Sequence, residues 1–373
     1  NYSAGSLALA HNGNLVNAHA IRKGLGSKGA IFQSTNDSEV IVHLMAQSKA
    51  EAFVDRAAEA LRQVSGAYSL VLMTKTELLA ARDPHGFRPL CLGKLDGSYI
   101  VASETCVMDL IEAEFIREVE PGELILINDQ GIQSFFPFKK VETKHCVFEH
   151  IYFARPDSFI FGEHVYTARK NMGRAMAQES PADVDLIVPV PDSGVVSAMG
   201  FAEESGIPFE MGLIRNHYVG RTFIEPQSQI RDFGVKLKLN PVKEIIAGKR
   251  IAIIDDSIVR GTTARKIVKM LRDVGAKEIH LRISAPPILH SCFYGIDTPT
   301  KEELIAHTHD LEETRQYLAA DSLAYLSLEK MMEVLENGKK KFCSACFDGN
   351  YPVPIPDKEL DTNQMGLFTN ENF

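Results

Sequence analysis

Apolar and polar positions fall into two rhythms along this chain. In the first third, short apolar or alternating runs at 6–10, 68–73, 77–81, 99–103 and 123–127 predict strands broken by Gly, Pro and Asp turns. Apolar spacings of three and four predict helices over 38–47 and 52–64. Strands, then helices, then strands again predict a mixed sheet of α+β type. From about Val165 the order becomes helix 166–178, strand 185–190, helix 195–205, strands 209–214 and 250–254, helix 263–274 and strand 278–284. That alternation predicts an α/β domain with a doubly wound parallel sheet. A boundary is expected near 140–160, giving domains over 1–145 and 146–350 and a loose, proline-punctuated tail over 351–373. The sequence carries no internal repeat or low-complexity segment.

The most informative stretch is 251–263, IAIIDDSIVRGTT. Ile251, Ala252, Ile253 and Ile254 read as a buried strand ending on Asp255 and Asp256. The chain then passes through Ser257, Ile258, Val259, Arg260, Gly261, Thr262 and Thr263 into a helix. Strand, loop and helix N-terminus is where open α/β sheets bind ligands. Backbone N–H groups and the hydroxyls of Ser257, Thr262 and Thr263 can surround a phosphate at the positive end of the helix, with Gly261 allowing close approach. The two acids would repel that phosphate, so they suit the diol of a ribose or a Mg²⁺ ion; a merely solvated strand end is the bland alternative. A second loop, PVPDSG over 189–194, has the same form. Ser193 there either caps the helix or ligates a metal. Two such loops, with Asp192, Ser193 and Gly194 in the second, can lie side by side across a switch point, one for a 5-phosphate and one for a pyrophosphate. Between them, 218–238 has poor periodicity and carries Arg221, Arg231, Lys236 and Lys238. It reads as a lid or as a solvated loop.

In the first domain HNGNL, 11–15, follows the first strand. Its Asn-Gly pair is a tight turn or an oxyanion hole made by the Asn12 amide and the Gly13 N–H. Asp37 either caps a helix or binds a substrate ammonium. Cys343 and Cys346 form a CxxC pair, which alone is a redox pair, half a zinc site or unremarkable; on spacing zinc comes first, and four thiolates also suit an iron-sulfur cluster. Composition narrows the field. With 45% hydrophobic and 24% charged residues in 373, the chain is an ordinary globular protein. Its net charge of -9 leaves no basic footprint for nucleic acid and no polybasic membrane patch. Runs such as 67–73 are far too short for a membrane span. Six dispersed cysteines suit reduced thiols in a cytoplasm. The chain starts at Asn1 and enters a strand almost at once, which is the expected look of a fragment lacking its N-terminal segment.

HNGNL with Asp37, DPHGFRP at 83–89, ASETC at 102–106, VEPGE at 119–123, YFARPDS at 152–158, 190–194, GRTF at 220–223 and 251–263 together resemble the glutamine phosphoribosylpyrophosphate (PRPP) amidotransferases. The resemblance implies an Ntn-hydrolase-type glutaminase domain, here truncated, followed by a type I phosphoribosyltransferase domain. It implies that ammonia from glutamine displaces pyrophosphate from Mg-PRPP, giving 5-phosphoribosylamine in the first committed step of purine synthesis. By the same likeness Asn12 and Gly13 form the oxyanion hole and Asp37 binds glutamine. Asp192, Ser193, Gly194 and Asp255 through Thr263 bind PRPP, Ser193, Asp255 and Asp256 surround Mg²⁺, and Arg221 sits on the lid. The iron-sulfur branch of the family implies Cys146, Cys292, Cys343 and Cys346 as ligands of a [4Fe-4S] cluster, leaving Cys91 and Cys106 as core residues. Adenine and guanine nucleotides are implied as feedback inhibitors, and a homo-oligomer is expected. The family's nucleophile is an N-terminal Cys, whereas residue 1 here is Asn. The chain as it stands is therefore expected to use free ammonia only. A salvage transferase that attaches a base to PRPP explains the second domain equally well but leaves HNGNL, Asp37 and the four cysteines unexplained, while a non-catalytic PRPP-sensing regulator of transcription is opposed by the net charge of -9 and by the lid.

Overall fold

The computed structural model describes residues 5–216, 239–336 and 341–356. The candidate lid with Arg221, Arg231, Lys236 and Lys238, the GRTF motif, Lys339, Lys340 and most of the tail lie outside the described residues.

In the first half, β1 (Ala8–Leu15), β2 (Gly66–Met73), β3 (Leu78–Arg82), β7 (Leu124–Asn128) and β8 (Gly131–Phe135) form one antiparallel sheet in that order. Helices α1 (Ala18–Gly26), α2 (Glu39–Gln47) and α3 (Phe53–Leu61) cover one face, packing Val40, Ile41, Ala57 and Leu61 on Leu70, Leu72, Leu79 and Leu126. On the other face Ala80 and Ile125 meet Leu90 and Val119, which flank a second sheet of β5 (Ser98–Ala102), β4 (Cys91–Leu95) and β6 (Glu114–Glu118). This is the α+β arrangement that the first rhythm predicts, with α1, β4, β6 and β8 added to it.

In the second half, β9 (Leu186–Pro189), β10 (Arg250–Asp255), β11 (Glu278–Ile283) and β12 (Ser322–Tyr325) run parallel, in that order. Alternation along β10 feeds both faces. Ala252 and Ile254 pack with α4 (Val165–Glu179), α5 (Val195–Ser205) and α8 (Leu328–Glu336). Ile251 and Ile253 pack with α6 (Thr262–Asp273) and α7 (Leu311–Leu318). Four fully buried residues in a row are what a sheet covered on both faces requires.

The strand expected at 209–214 needs correction. The segment meets the sheet through a single parallel bridge of Phe209 to Ile187, in which Glu210 donates its N–H to the Ile187 carbonyl at 3.0 Å, while Leu213–Arg215 pairs antiparallel with Leu239–Pro241. The single bridge still fixes the order of the sheet: the segment after α5 lies outside β9, and β10 lies on its other side. The direction of winding therefore reverses between β9 and β10, which makes their C-terminal ends the switch point. Between the halves, His145–Cys146 pairs in parallel with Phe342–Cys343, so the C-terminal segment returns to the interdomain link.

Candidate active sites

Both candidate phosphate loops leave neighbouring strands at the switch point. Val190 donates its N–H to the Ile254 carbonyl at 2.9 Å, holding the end of β9 against the end of β10. Between the loops opens a cavity of about 310 Å³, lined by Tyr152, Val190, Ser193 and residues 255–264. Asp255 and Asp256 stand at its base. The Asp256 N–H donates to Asp255 Oδ1 at 2.9 Å, and the Ser257 hydroxyl donates to Asp256 Oδ1. Burial and then the charge of Asp256 push the Asp255 carboxyl well above its usual range. Burial also raises Asp256, against hydrogen bonds from Ser193 and Ser257 and the charge of Arg169. Two buried carboxyls with raised affinity for a proton are a site for a cation or for donating hydroxyls.

The rest of the loop divides its work. Ile258 is buried in the core beneath α6, so only its backbone is available to a ligand. Val259 gives its carbonyl to the Ile305 N–H, and Arg260 pairs with Glu303 at 3.0 Å. Gly261 has φ of +72° and precedes α6, whose exposed Thr262 and Thr263 face the cavity with the unpaired N–H groups of a helix start. In the second loop Ser193 does not cap α5; it turns to Asp256, and Gly194 opens the helix. Asp192 pairs with Arg215 and is not among the residues lining the cavity.

Asn12 and Gly13 also require a correction, since HNGNL lies inside β1 rather than after it. Asn12 is paired with Ser69 and Gly13 with Tyr68. Gly13 has φ of +150°, and a Cβ there would stand 2.1 Å from the Ala67 carbonyl oxygen. Asp37 is not a helix cap. Its carboxylate accepts the Leu15 N–H at 2.8 Å and the Ser38 hydroxyl at 3.0 Å, with His11 Nδ1 3.4 Å away. Burial would raise its pKa, but His11 and these donors outweigh it and hold the carboxylate below the usual range. Asp37 is thus a fixed anion beside the Asn12–Gly13 strand.

All four implied ligand cysteines, Cys146, Cys292, Cys343 and Cys346, line one small apolar cavity with Phe87, Phe148, Tyr294 and Tyr351. Burial pushes every one of these thiols up, that of Cys146 to about 12. Among the described residues no three His, Cys, Asp or Glu side chains converge closely enough for a single metal ion. Cys91 is a core residue as expected, its thiol pushed up to about 12 by burial and by Glu118. Cys106 departs from that expectation: it is half-buried at the start of a short helix, 3.9 Å from Glu104.

Several site residues lay beyond sequence reasoning. Arg169, buried on α4, anchors to the His150 and Ala154 carbonyls at 2.7 Å and lends its charge to Asp256. Its signal was a charge on the apolar face of a helix. Tyr152 at the cavity wall and His11 beside Asp37 gave no signal beyond their motifs.

The folds and sites together define a glutamine amidotransferase joined to a phosphoribosyltransferase. A glutamine amidotransferase domain model matches residues 1–109 and a phosphoribosyl transferase domain model matches 167–287. The chain is 52% identical to the chloroplastic amidophosphoribosyltransferase 1 of Arabidopsis thaliana over 99% of its own length and 67% of the relative's. It is 49% identical to the Bacillus subtilis (strain 168) amidophosphoribosyltransferase over 94% of this chain and 75% of the relative. A solved structure of the glutamine PRPP amidotransferase from B. subtilis complexed with ADP and GMP superposes with a TM-score of 0.90 at 48% identity, covering 96% of this chain and 79% of that one. The chain belongs to the amidophosphoribosyltransferase family. It spans about two thirds of the plant relatives, 64% in the case of Glycine max.

Proposed function

We propose that the chain catalyses displacement of pyrophosphate from Mg-PRPP by ammonia, giving 5-phosphoribosylamine, with free ammonia as the source for the chain as it stands and glutamine as the source where the first domain carries the family's N-terminal cysteine. The observation that carries this reading is the 310 Å³ cavity in which the two strand-end loops converge at the switch point. Residues 257–263 take the 5-phosphate, Asp255 and Asp256 the ribose diol, and Asp192 to Gly194 the pyrophosphate. Ser193, Asp255 and Asp256 would hold Mg²⁺, which supplies charge neutralisation to the departing pyrophosphate. No general base is assigned, because ammonia is already a nucleophile; positioning and electrostatic stabilisation carry the step. Asn12 and Gly13 would stabilise the oxyanion and Asp37 the ammonium group of glutamine.

Four cysteines lining one closed apolar cavity fit a [4Fe-4S] cluster, which spreads its ligands over four irons, better than a single ion. Held by Cys146, Cys292, Cys343 and Cys346, it would tie the interdomain link to the C-terminal segment. Adenine and guanine nucleotides are proposed as inhibitors, as the B. subtilis structure with ADP and GMP suggests. A homo-oligomer and the cytoplasm complete the reading; six free cysteines accord with a reducing compartment, and no helix among the described residues is long and apolar enough to cross a membrane.

The test is Asp255→Asn with Asp256→Asn. Ammonia-dependent release of pyrophosphate should fall at least a hundredfold or so, the scale of losing a preorganised charge. The thermal midpoint should hold or rise, because two carboxyls whose charged forms burial disfavours are gone. Near-normal turnover would overturn the assignment of the ribose site.

A further inference from the structure

A buried arginine from the first domain stands beside the cysteine cavity with part of its hydrogen-bonding capacity unused. Arg88 is 5% exposed, and its ion pair with Glu149 at 3.0 Å is buried on both sides. That pair occupies Nη2 alone. Nε and Nη1, both buried, meet no oxygen or nitrogen acceptor, and the Cys146 side chain is within reach of the guanidinium. Leaving such buried donors unsatisfied is costly, so the geometry calls for an acceptor at this point.

The surroundings say which acceptor. Arg88 follows Phe87, whose ring lines the cysteine cavity and whose carbonyl accepts the Cys146 N–H at 2.9 Å. Its guanidinium is close enough to the Cys146 and Cys292 sulfurs to interact with both. The guanidinium carbon lies 5.4 Å from the Phe153 ring centroid, so an aromatic face screens it from solvent on one side. The backbone is pinned as well, since the Arg88 carbonyl accepts from Arg82 Nε at 2.9 Å and from the Ser69 hydroxyl at 3.1 Å. Four thiolates outweigh the positive charge of a four-iron core, so a cysteine-held cluster here would be anionic. One carboxylate, Glu149, pairs with the guanidinium through Nη2.

We propose that Arg88 is a positioning and tuning residue for the cysteine-held cluster: a fixed cation from the glutamine domain that donates N–H bonds to cluster sulfurs. This rests on the cluster reading above. Hydrogen bonds and positive charge at the sulfurs stabilise the more negative, reduced form, and so raise the reduction potential. The electron in that comparison comes from an added reductant, dithionite with mediators.

The experiment uses anaerobically prepared full-length protein in three forms: unchanged, Glu149→Gln, and Glu149→Gln with Arg88→Gln. Removing both charges avoids a lone buried carboxylate. Relative to Glu149→Gln, the double variant should show at least a tenfold higher oxidised-to-reduced ratio at fixed potential, about 59 mV for one electron. In unchanged protein with ¹⁵N-guanidinium arginine, electron-nuclear double resonance on the reduced cluster should show a nearby nitrogen. That measurement decides the matter if the double variant does not fold. Equal potentials, or a cluster with no arginine nitrogen coupled to it, would overturn the role of Arg88 alone. Protein without iron would overturn the cluster reading and this proposal with it.

Discussion

Asp255 and Asp256 set the pH behaviour of the site. Burial raises both and the charge of Asp256 raises Asp255 further, so on falling pH the pair takes up a proton before an ordinary surface carboxylate does. Without a cation the sign for stability is negative: the folded pair binds its proton more tightly than the unfolded chain does. It therefore costs stability as pH rises through its folded titration. For ligand binding the sign reverses, because a cation competes with that proton. Affinity for Mg-PRPP should fall as pH drops through the raised titration of the pair and binding should release protons, measurable by calorimetry in buffers of different ionisation enthalpy. Flat affinity with no proton release would show that the carboxyls do not meet the cation. At Gly261 an added methyl meets Ile305 Cδ1 at 2.7 Å in a left-handed conformation. Gly261→Ala should cost about 1–2 kcal/mol and raise KM for PRPP more than it lowers kcat, as steady-state kinetics with ammonia would show.

At the scale of elements, the most instructive strand is β1. Asn12 and Gly13 suggested a turn by local propensity, yet β2, more than fifty residues later, pairs with them throughout. Non-local pairing decided the matter, and local sequence reasoning does not contain it. The same cause hid the single bridge of Phe209 and the short strand Leu213–Arg215, whose partner comes after the candidate lid. By contrast, β10 and its loop were legible because everything they need is contiguous: four apolar residues, two acids, one left-handed glycine and a helix start. A rigid strand also makes a better oxyanion scaffold than a turn. In protein carrying the family's N-terminal cysteine, Asn12→Ala should lower glutamine-dependent kcat by roughly a hundredfold or more. Ammonia-dependent turnover should be unchanged, and an equal loss of both would point to a folding defect instead.

At the scale of the molecule, the halves meet through backbone as well as side chains. Asn14 Nδ2 donates to the Phe293 carbonyl at 2.9 Å, and a Cβ on Gly295 would stand 2.6 Å from the Gly13 Cα. The strand of the glutamine site thus rests on the segment that carries Cys292. Cys343→Ser or Cys346→Ser should accordingly give colourless, poorly soluble protein with little iron, because metal binding at such sites is coupled to folding. Full solubility with stoichiometric zinc in anaerobic material would favour a zinc site. The pairing of His145–Cys146 with Phe342–Cys343 also has a temporal side. A ribosome releases Cys146 roughly two hundred residues before Cys346, an interval of about 10–40 s at ordinary elongation rates. The glutamine domain therefore emerges with its exit strand unpaired and one thiol waiting, and the link can be sealed only once the segment carrying Cys343 and Cys346 has been made.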